Sequence, residues 1–321
     1  MLINAYSVTD AVKKTIALLK SEGKIVNRKV GSWNMHNETM MDLIEIHGLQ
    51  IRIPDVSNVP RWHNFVSNGQ ILELLDLLLG DNPGHLHYLW NFYRKWLSHG
   101  DKYPYTYGAR IFGTNESINQ WDQSVKILKA DPTSRHACIV IRRPEDLIEE
   151  YQPCSIFTHF QLNNNNKLDM HWVMRSNDVL TGGLPRNIFI NIHILEQMSL
   201  ATGIPIGDYY HYDTNVHFYE SDLEKINYLQ QNIRSYELEQ FPKFSSVSYL
   251  TNKQKSGIRD IFNKKYVLGK FNIKELIDSV VSYDENRYYN FLLHYLLEDK
   301  FTYLEYKSEC ELVRWMKINK K

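Results

Sequence analysis

The run CSIFTHFQL–NNNN–KLDMHWVMRS, residues 154–176, decides the fold. Its two flanks are rich in β-branched and aromatic residues with partial alternation, which predicts two strands. The asparagines at 163–166 tolerate turn backbone and predict a hairpin between them. Upstream, HACIVIRRP (136–144) predicts a further strand, and downstream IGDYYHYDTNVHFYE (206–220) another. Between them RNIFINIHILEQMSLAT (186–202) is apolar almost all round, the pattern of a buried helix, and Gly203 predicts its stop.

Nearer the start, VTDAVKKTIALLKSE (8–22) places Val12, Ile16, Leu18 and Leu19 at helical spacing, with Gly23 after them. IVNRKVGSW (25–33) reads as a polar stretch holding Arg28. GQILELLDLLLG (69–80) predicts a strongly apolar helix with Glu73 inside it. A helix around 116–129 leads into the turn DPTSRH, residues 131–136. Beyond 222, EKINYLQQNIRSYELEQF and the run 273–301 carry helical spacing. The expectation is an α/β (α+β) protein: a mixed sheet flanked by helices over 1–245, then a helical C-terminal extension over 246–321.

Of 321 residues, 43% are hydrophobic and 23% charged, enough for a packed core. Lys+Arg and Asp+Glu both number 37, which argues against a broad nucleic-acid surface. Three cysteines, Cys138, Cys154 and Cys310, are too few for a disulfide framework, and their scatter predicts no metal site. No apolar run nears membrane-spanning length and no signal sequence opens the chain, so a cytoplasmic location is expected.

Cys154, after a proline at a strand start, is a candidate nucleophile, since a thiolate beside a cation attacks readily. Arg28, Arg135 and Arg175 offer guanidinium forks suited to a phosphate, and Ser176 adds a hydroxyl donor. The glycines of GGLPRN (182–187) allow close ligand approach, and Asn187 can both donate and accept at a base edge. His217 and Tyr219 fall on one face of a strand. Each reading has a plain structural counterpart, from buried thiol to surface ion pair to helix cap.

The order of the motifs raises the case. Pro153-Cys154, Arg175-Ser176-Asn177-Asp178, Gly183-Leu184-Pro185-Arg186-Asn187 and His217-Phe218-Tyr219 follow one another as in the thymidylate synthase family, which this chain resembles over about residues 5–225. The likeness is densest over 104–220 and includes the deoxyuridylate and cytidylate hydroxymethylase branch. It implies a thymidylate synthase-like fold, a homodimer, and one-carbon transfer from 5,10-methylenetetrahydrofolate to carbon 5 of a pyrimidine nucleoside monophosphate. By resemblance Cys154 attacks carbon 6. Arg175 and Ser176 hold the phosphate, Arg28 closes over it from a flexible loop, and Arg135 reaches it across the two-fold interface. Glu73 and Tyr107, in YGAR, match the proton network at the base, and burial in ILELLDLLL would raise the Glu73 pKa. Asp178 matches the carboxylate at the folate ring, Asn187 reads the base, and His217 and Tyr219 bind the sugar.

Five departures stand out. His136 replaces a second phosphate arginine, Ser155 a histidine and His159 a glutamine. One extra residue lies between Asp178 and Asn187, which predicts a bulged loop before Asn187. The ending WMKINKK has no apolar closing segment, so the reading favours water, rather than hydride, as the trap of the one-carbon intermediate. Hydroxymethylation of dUMP or a cytidylate is the expected outcome. Reductive methylation of dUMP is the alternative, and a non-catalytic nucleotide- or RNA-binding relative a second one.

Overall fold

The structure is a computed structural model, and it describes residues 1–30, 39–58, 73–74, 77, 80, 106–113, 118–148, 152–180 and 183–232. The described elements run β1 (Leu2–Asn4), α1 (Val8–Glu22), β2 (Lys24–Val30), β3 (Thr39–Ile53), α2 (Tyr107–Phe112), α3 (Gln120–Ala130), β4 (Cys138–Val140), β5 (Ser155–Leu162), β6 (Leu168–Met174), β7 (Asn177–Asp178), α4 (Leu184–Thr202), β8 (Ile206–Tyr219) and α5 (Leu223–Asn232). The chain divides into two compact units, one of 1–66, 121–241 and 308–321, the other of 67–120 and 242–307. The expected extension 246–321 lies outside the described residues, as does most of the helix expected at 69–80, where Glu73, Leu74 and Leu77 are helical.

The first unit is built on one mixed sheet of eight strands in the order β1-β3-β8-β6-β5-β4. β2 shares an edge of β3 with β1, and β7 shares an edge of β8 with β6. The hairpin read from 154–176 forms as expected: β5 and β6 pair antiparallel, Asn163 N–H donates to the Lys167 carbonyl at 2.8 Å, and Asn166 takes a left-handed φ of 57°. Helix α4 ends on Gly203 at φ 77°, a left-handed stop that glycine adopts without a Cβ penalty. Helix α1 starts on Ser7, whose hydroxyl accepts from Asp10 N–H.

Helices α1 and α4 pack on one sheet face, burying Val12, Ile16 and Leu19 from α1 and Ile188, Ile192 and Leu195 from α4. Beneath them lie Leu49, Ile51 and Ile53 of β3, Met170 and Trp172 of β6, and Tyr209 of β8. The opposite face is half-exposed and aromatic: His171 stacks on Tyr210 at 4.6 Å and 5°, and its Nδ1 stands 3.1 Å from the Tyr212 hydroxyl.

Two expectations change. Residues 25–33 were read as a polar loop, yet Lys24–Val30 is an edge strand paired with β3. Such a strand has little apolar alternation to betray it, and Ile25 is 64% exposed. Arg28 therefore projects from a sheet and not from a flexible loop. Asn187 itself sits in the first turn of α4, with its N–H on the Gly183 carbonyl at 3.0 Å, while the loop expected to bulge before it includes residues 181 and 182, outside the described residues. The helix begins at Leu184, two residues earlier than its apolar run suggests, because Pro185 suits a first turn.

Candidate active site

Cys154 stands just before β5, half-buried, on a loop clamped by Arg175. Arg175 Nε donates to the Pro153 carbonyl at 3.0 Å and Nη2 to the Gln152 carbonyl at 3.1 Å, while its N–H reaches the Cys154 carbonyl at 2.8 Å. Arg142, which sequence reasoning passed over, bonds the Gln152 side chain. Burial pushes the Cys154 thiol above its ordinary pKa; the Arg175 and Arg142 guanidiniums pull it down, and Asp213 adds to the rise. The expected activation by Arg175 is thus present in sign and outweighed in the resting site. Ser155, in place of the family histidine, is buried and accepts from the Trp172 indole at 3.1 Å.

Strand β8 supplies the wall. Its alternate residues Tyr209, His211 and Asp213 are buried on the helix-covered side, and Asn215, His217 and Tyr219 continue the polar alternation to the strand end. Parallel pairing sets Asp178 level with His217, and antiparallel pairing sets Glu45 level with His217 from the other edge. Glu45 is buried and holds the Arg28 guanidinium through both its oxygens, Nε at 2.7 Å. It also accepts from Asn215 Nδ2 at 2.7 Å, and His47 Nε2 lies 2.8 Å away. The Arg28 bond holds the Glu45 carboxyl at about 2, against the cost of burial. Arg28 is half-exposed, so one side of its guanidinium meets the carboxylate and the other meets solvent.

Asn215 passes this order on. With its nitrogen on Glu45, its oxygen faces His217 Nδ1 at 2.8 Å. The proton then sits on Nδ1, and His217 Nε2 is left as an acceptor suited to a hydroxyl. Burial takes His217 down to about 4, so it stays neutral. Tyr219 packs edge-on to His217 at 5.6 Å, and burial raises its phenol to about 12, helped by the nearby charges of Asp178, Asp222 and Cys154. One Asp178 oxygen accepts from Leu180 N–H at 2.8 Å. Gly183 is obligatory here: a Cβ on it would lie 1.6 Å from the Asp178 carbonyl oxygen.

A second relay is buried except at Asn187. Asn187 Nδ2 lies 3.1 Å from Asn177 Oδ1, Asn177 Nδ2 lies 2.9 Å from His211 Nε2, and His211 Nδ1 lies 2.6 Å from the Tyr209 hydroxyl. Asn191 donates to that hydroxyl at 2.9 Å. Asn187 is the only half-exposed residue between Gly183 and Leu195, so the relay reaches solvent at its Asn187 end.

The structure thus gathers Cys154, Arg175, Asp178, Asn187, His217 and Tyr219 around β7, β8 and the first turn of α4. Ser176 is half-exposed between β6 and β7. Arg135 and His136 are exposed just before β4, where His159 Nε2 stands 3.2 Å from the Arg135 carbonyl. Glu73 and Tyr107 belong to the second unit, where Gly108 lets α2 approach closely: a Cβ there would lie 2.3 Å from the Leu77 carbonyl. Sequence reasoning missed Glu45, Asn215, His211, Asp213 and Asn177. For those on β8 the signal was available, as every second residue from 209 to 219 is polar or aromatic.

Among the described residues no helix is long and apolar enough to cross a membrane, and no group of three metal-binding side chains occurs. The thymidylate synthase family model matches residues 20–282. Chains from Methanosarcina barkeri and Methanosarcina mazei, described as candidate thymidylate synthases, are 23% and 24% identical over 235 residues, 72% of this chain and 95% of theirs. The deoxyuridylate hydroxymethyltransferase of Bacillus phage SP01 is 34% identical over 129 residues, 36% of this chain and 33% of its own. The family match spans most of the chain, and the family motifs fall together on one sheet end: this chain belongs to the thymidylate synthase family and is a one-carbon transferase.

Proposed function

We propose that the enzyme transfers a one-carbon unit from 5,10-methylenetetrahydrofolate to carbon 5 of a pyrimidine nucleoside monophosphate, dUMP or a cytidylate, through a covalent Cys154 adduct, and that the product is hydroxymethylated. The observation that carries it is a thiol drawn toward its anion by two guanidiniums, on the sheet end that carries His217 with its ring proton held by Asn215.

The cofactor would supply a methylene unit at the oxidation level of formaldehyde. The chain fits its ring through Asp178, a carboxylate pinned by Leu180 beside Tyr219. Sulfur adds to carbon 6, and the electron pair of the 5,6 double bond moves to carbon 5, which becomes the nucleophile. After carbon 5 gains the methylene, loss of its proton would expel the tetrahydrofolate amine, water would add to the exocyclic carbon, and the Cys154 sulfur would depart as the 5,6 double bond returns. His217 Nε2 accepts from a sugar hydroxyl, and Tyr219, kept protonated, donates to the sugar. Arg175 and Ser176 meet the phosphate, with Arg28 turned toward it by Glu45 and His136 nearby. Glu73 and Tyr107 carry protons at the base, and Asn187 contacts the base edge. The partial likeness to a phage hydroxymethyltransferase, at higher identity than the likeness to the archaeal chains, favours water over hydride.

The test is product mass after incubation with the cofactor and each of uridylate, deoxyuridylate, cytidylate and deoxycytidylate. A gain of one hydroxymethyl group is expected; a gain of one methyl group, with dihydrofolate formed, assigns reductive methylation instead. We further infer a homodimer in which Arg135 serves the partner's site. Mixing Cys154→Ser and Arg135→Ala subunits, each inactive alone, then restores about a quarter of native activity, since half the dimers carry one complete site. No recovery on subunit exchange would place Arg135 elsewhere.

A further inference from the structure

We propose that Asp213, acting through His211 and Asn177, fixes which end of the Asn187 amide meets the base, and so decides between uracil and cytosine. The inference rests on the reading of Asn187 as the base contact.

Asp213, His211 and Asn177 are buried, at 2%, 0% and 3% exposure. Neither Asp213 oxygen has a hydrogen-bond partner among the described residues, and His211 Nε2 stands 3.2 Å from Oδ1. Two proton arrangements fit these heavy atoms, because the oxygen and nitrogen of an amide can exchange places without moving its shape.

In the first, the His211 proton is on Nδ1. Its bare Nε2 lone pair then faces the Asp213 carboxylate, acceptor against acceptor. The Tyr209 hydroxyl, already taking protons from Nδ1 and from Asn191, has no acceptor for its own. Burial keeps that phenol protonated, so its proton is a real orphan. In the second, the proton is on Nε2, where the Asp213 charge attracts it. Tyr209 then donates to Nδ1 and accepts from Asn191. The Asn177 amide turns its oxygen to Nε2 and its nitrogen to Asn187, and Asn187 turns its oxygen to Asn177. Every group in the chain gains a partner of the right sign, so the second arrangement is preferred, since buried polar groups left unpaired are costly.

The consequence reaches the ligand. Uracil carries N–H at position 3 and oxygen at position 4; cytosine carries a bare nitrogen at 3 and an amino group at 4. The two edges have opposite donor–acceptor order, so an amide that can rotate freely accepts either base. One held at its far end by Asn177 accepts one. A carboxylate with no direct contact to the nucleotide thereby becomes a specificity-determining group.

Two readouts test this. In the native protein, 15N NMR of His211 is expected to show a protonated Nε2 and a bare Nδ1; a proton on Nδ1 overturns the relay whatever the substrate. The second is the ratio of kcat/KM for the uracil and cytosine nucleotides. Asn177→Asp can only accept, which forces the Asn187 nitrogen toward it, so this variant shifts the ratio about tenfold or more toward the disfavoured base. Asp213→Asn, which removes the charge, moves the ratio the same way by less. A folded variant that loses activity equally on both nucleotides, or keeps the ratio within about twofold, overturns the proposal, since a merely structural role would do that. If the native enzyme turns over one nucleotide while the ratio never moves, only the relay falls. If it turns over no pyrimidine nucleotide, the proposed function falls with it.

Discussion

At Cys154 two opposing effects meet, and their balance has a measurable sign. Burial raises the thiol and two guanidiniums lower it, with burial the larger. The free enzyme should therefore be slow to alkylate at neutral pH, and the alkylation rate should rise with a midpoint above the ordinary cysteine value of 9.0. A midpoint below neutrality would mean that the guanidiniums win. Cys154→Ser should keep nucleotide affinity, read by calorimetry, and lose at least about a thousandfold in turnover, because a hydroxyl is far less acidic than a thiol. At this scale the sequence revealed which residues bear chemistry, since nucleophiles and forked cations announce themselves by type. What it hid was their partners. Glu45 lies far from Arg28 and His217 in sequence, and only the pairing of β3 with β2 and β8 brings it to both.

Among the elements, strands with a strong periodic signal and helices with long apolar runs were legible. β5, β6, β8, α1 and α4 all fall where the spacing puts them. β2 was not, because an edge strand with Ile25 exposed and Arg28 reaching outward shows no period. Helix α4 starts at Leu184, two residues before its apolar run, with Gly183 as its cap. That junction is brittle. Gly183→Ala would drive a methyl into the Asp178 carbonyl, displacing either β7 or the first turn of α4. We expect about 2–4 kcal/mol of lost stability and a shifted folate KM, read by thermal denaturation and steady-state kinetics. An alanine variant with native melting and kinetics would show that the junction has slack.

For the molecule as a whole, three groups share one direction of response to acid. His171 and His217 are held down to about 4, chiefly by burial, and Glu45 to about 2, chiefly by Arg28. Each histidine takes up its proton at higher pH when unfolded, so its contribution is whole above about pH 6.5 and lost as pH falls toward 4. Glu45 contributes fully above about pH 4.5 and loses this as pH falls toward 2. Stability should thus decline without a plateau from pH 6.5 downward, by about 1–2 kcal/mol per histidine after allowance for solvent screening. Urea midpoints across that range measure it; a curve flat from pH 7 to about 5 would contradict it.

In strand β8 the buried side chains Tyr209, His211 and Asp213 alternate with Tyr210 and Tyr212 on the far face of the same ribbon. A shift of one residue would exchange the two sets completely. Insertions and deletions within 206–219 are therefore closed to this lineage as a route to new substrates. Diversification along this strand must proceed by point replacement at fixed length, with any added chain confined to the connections on either side.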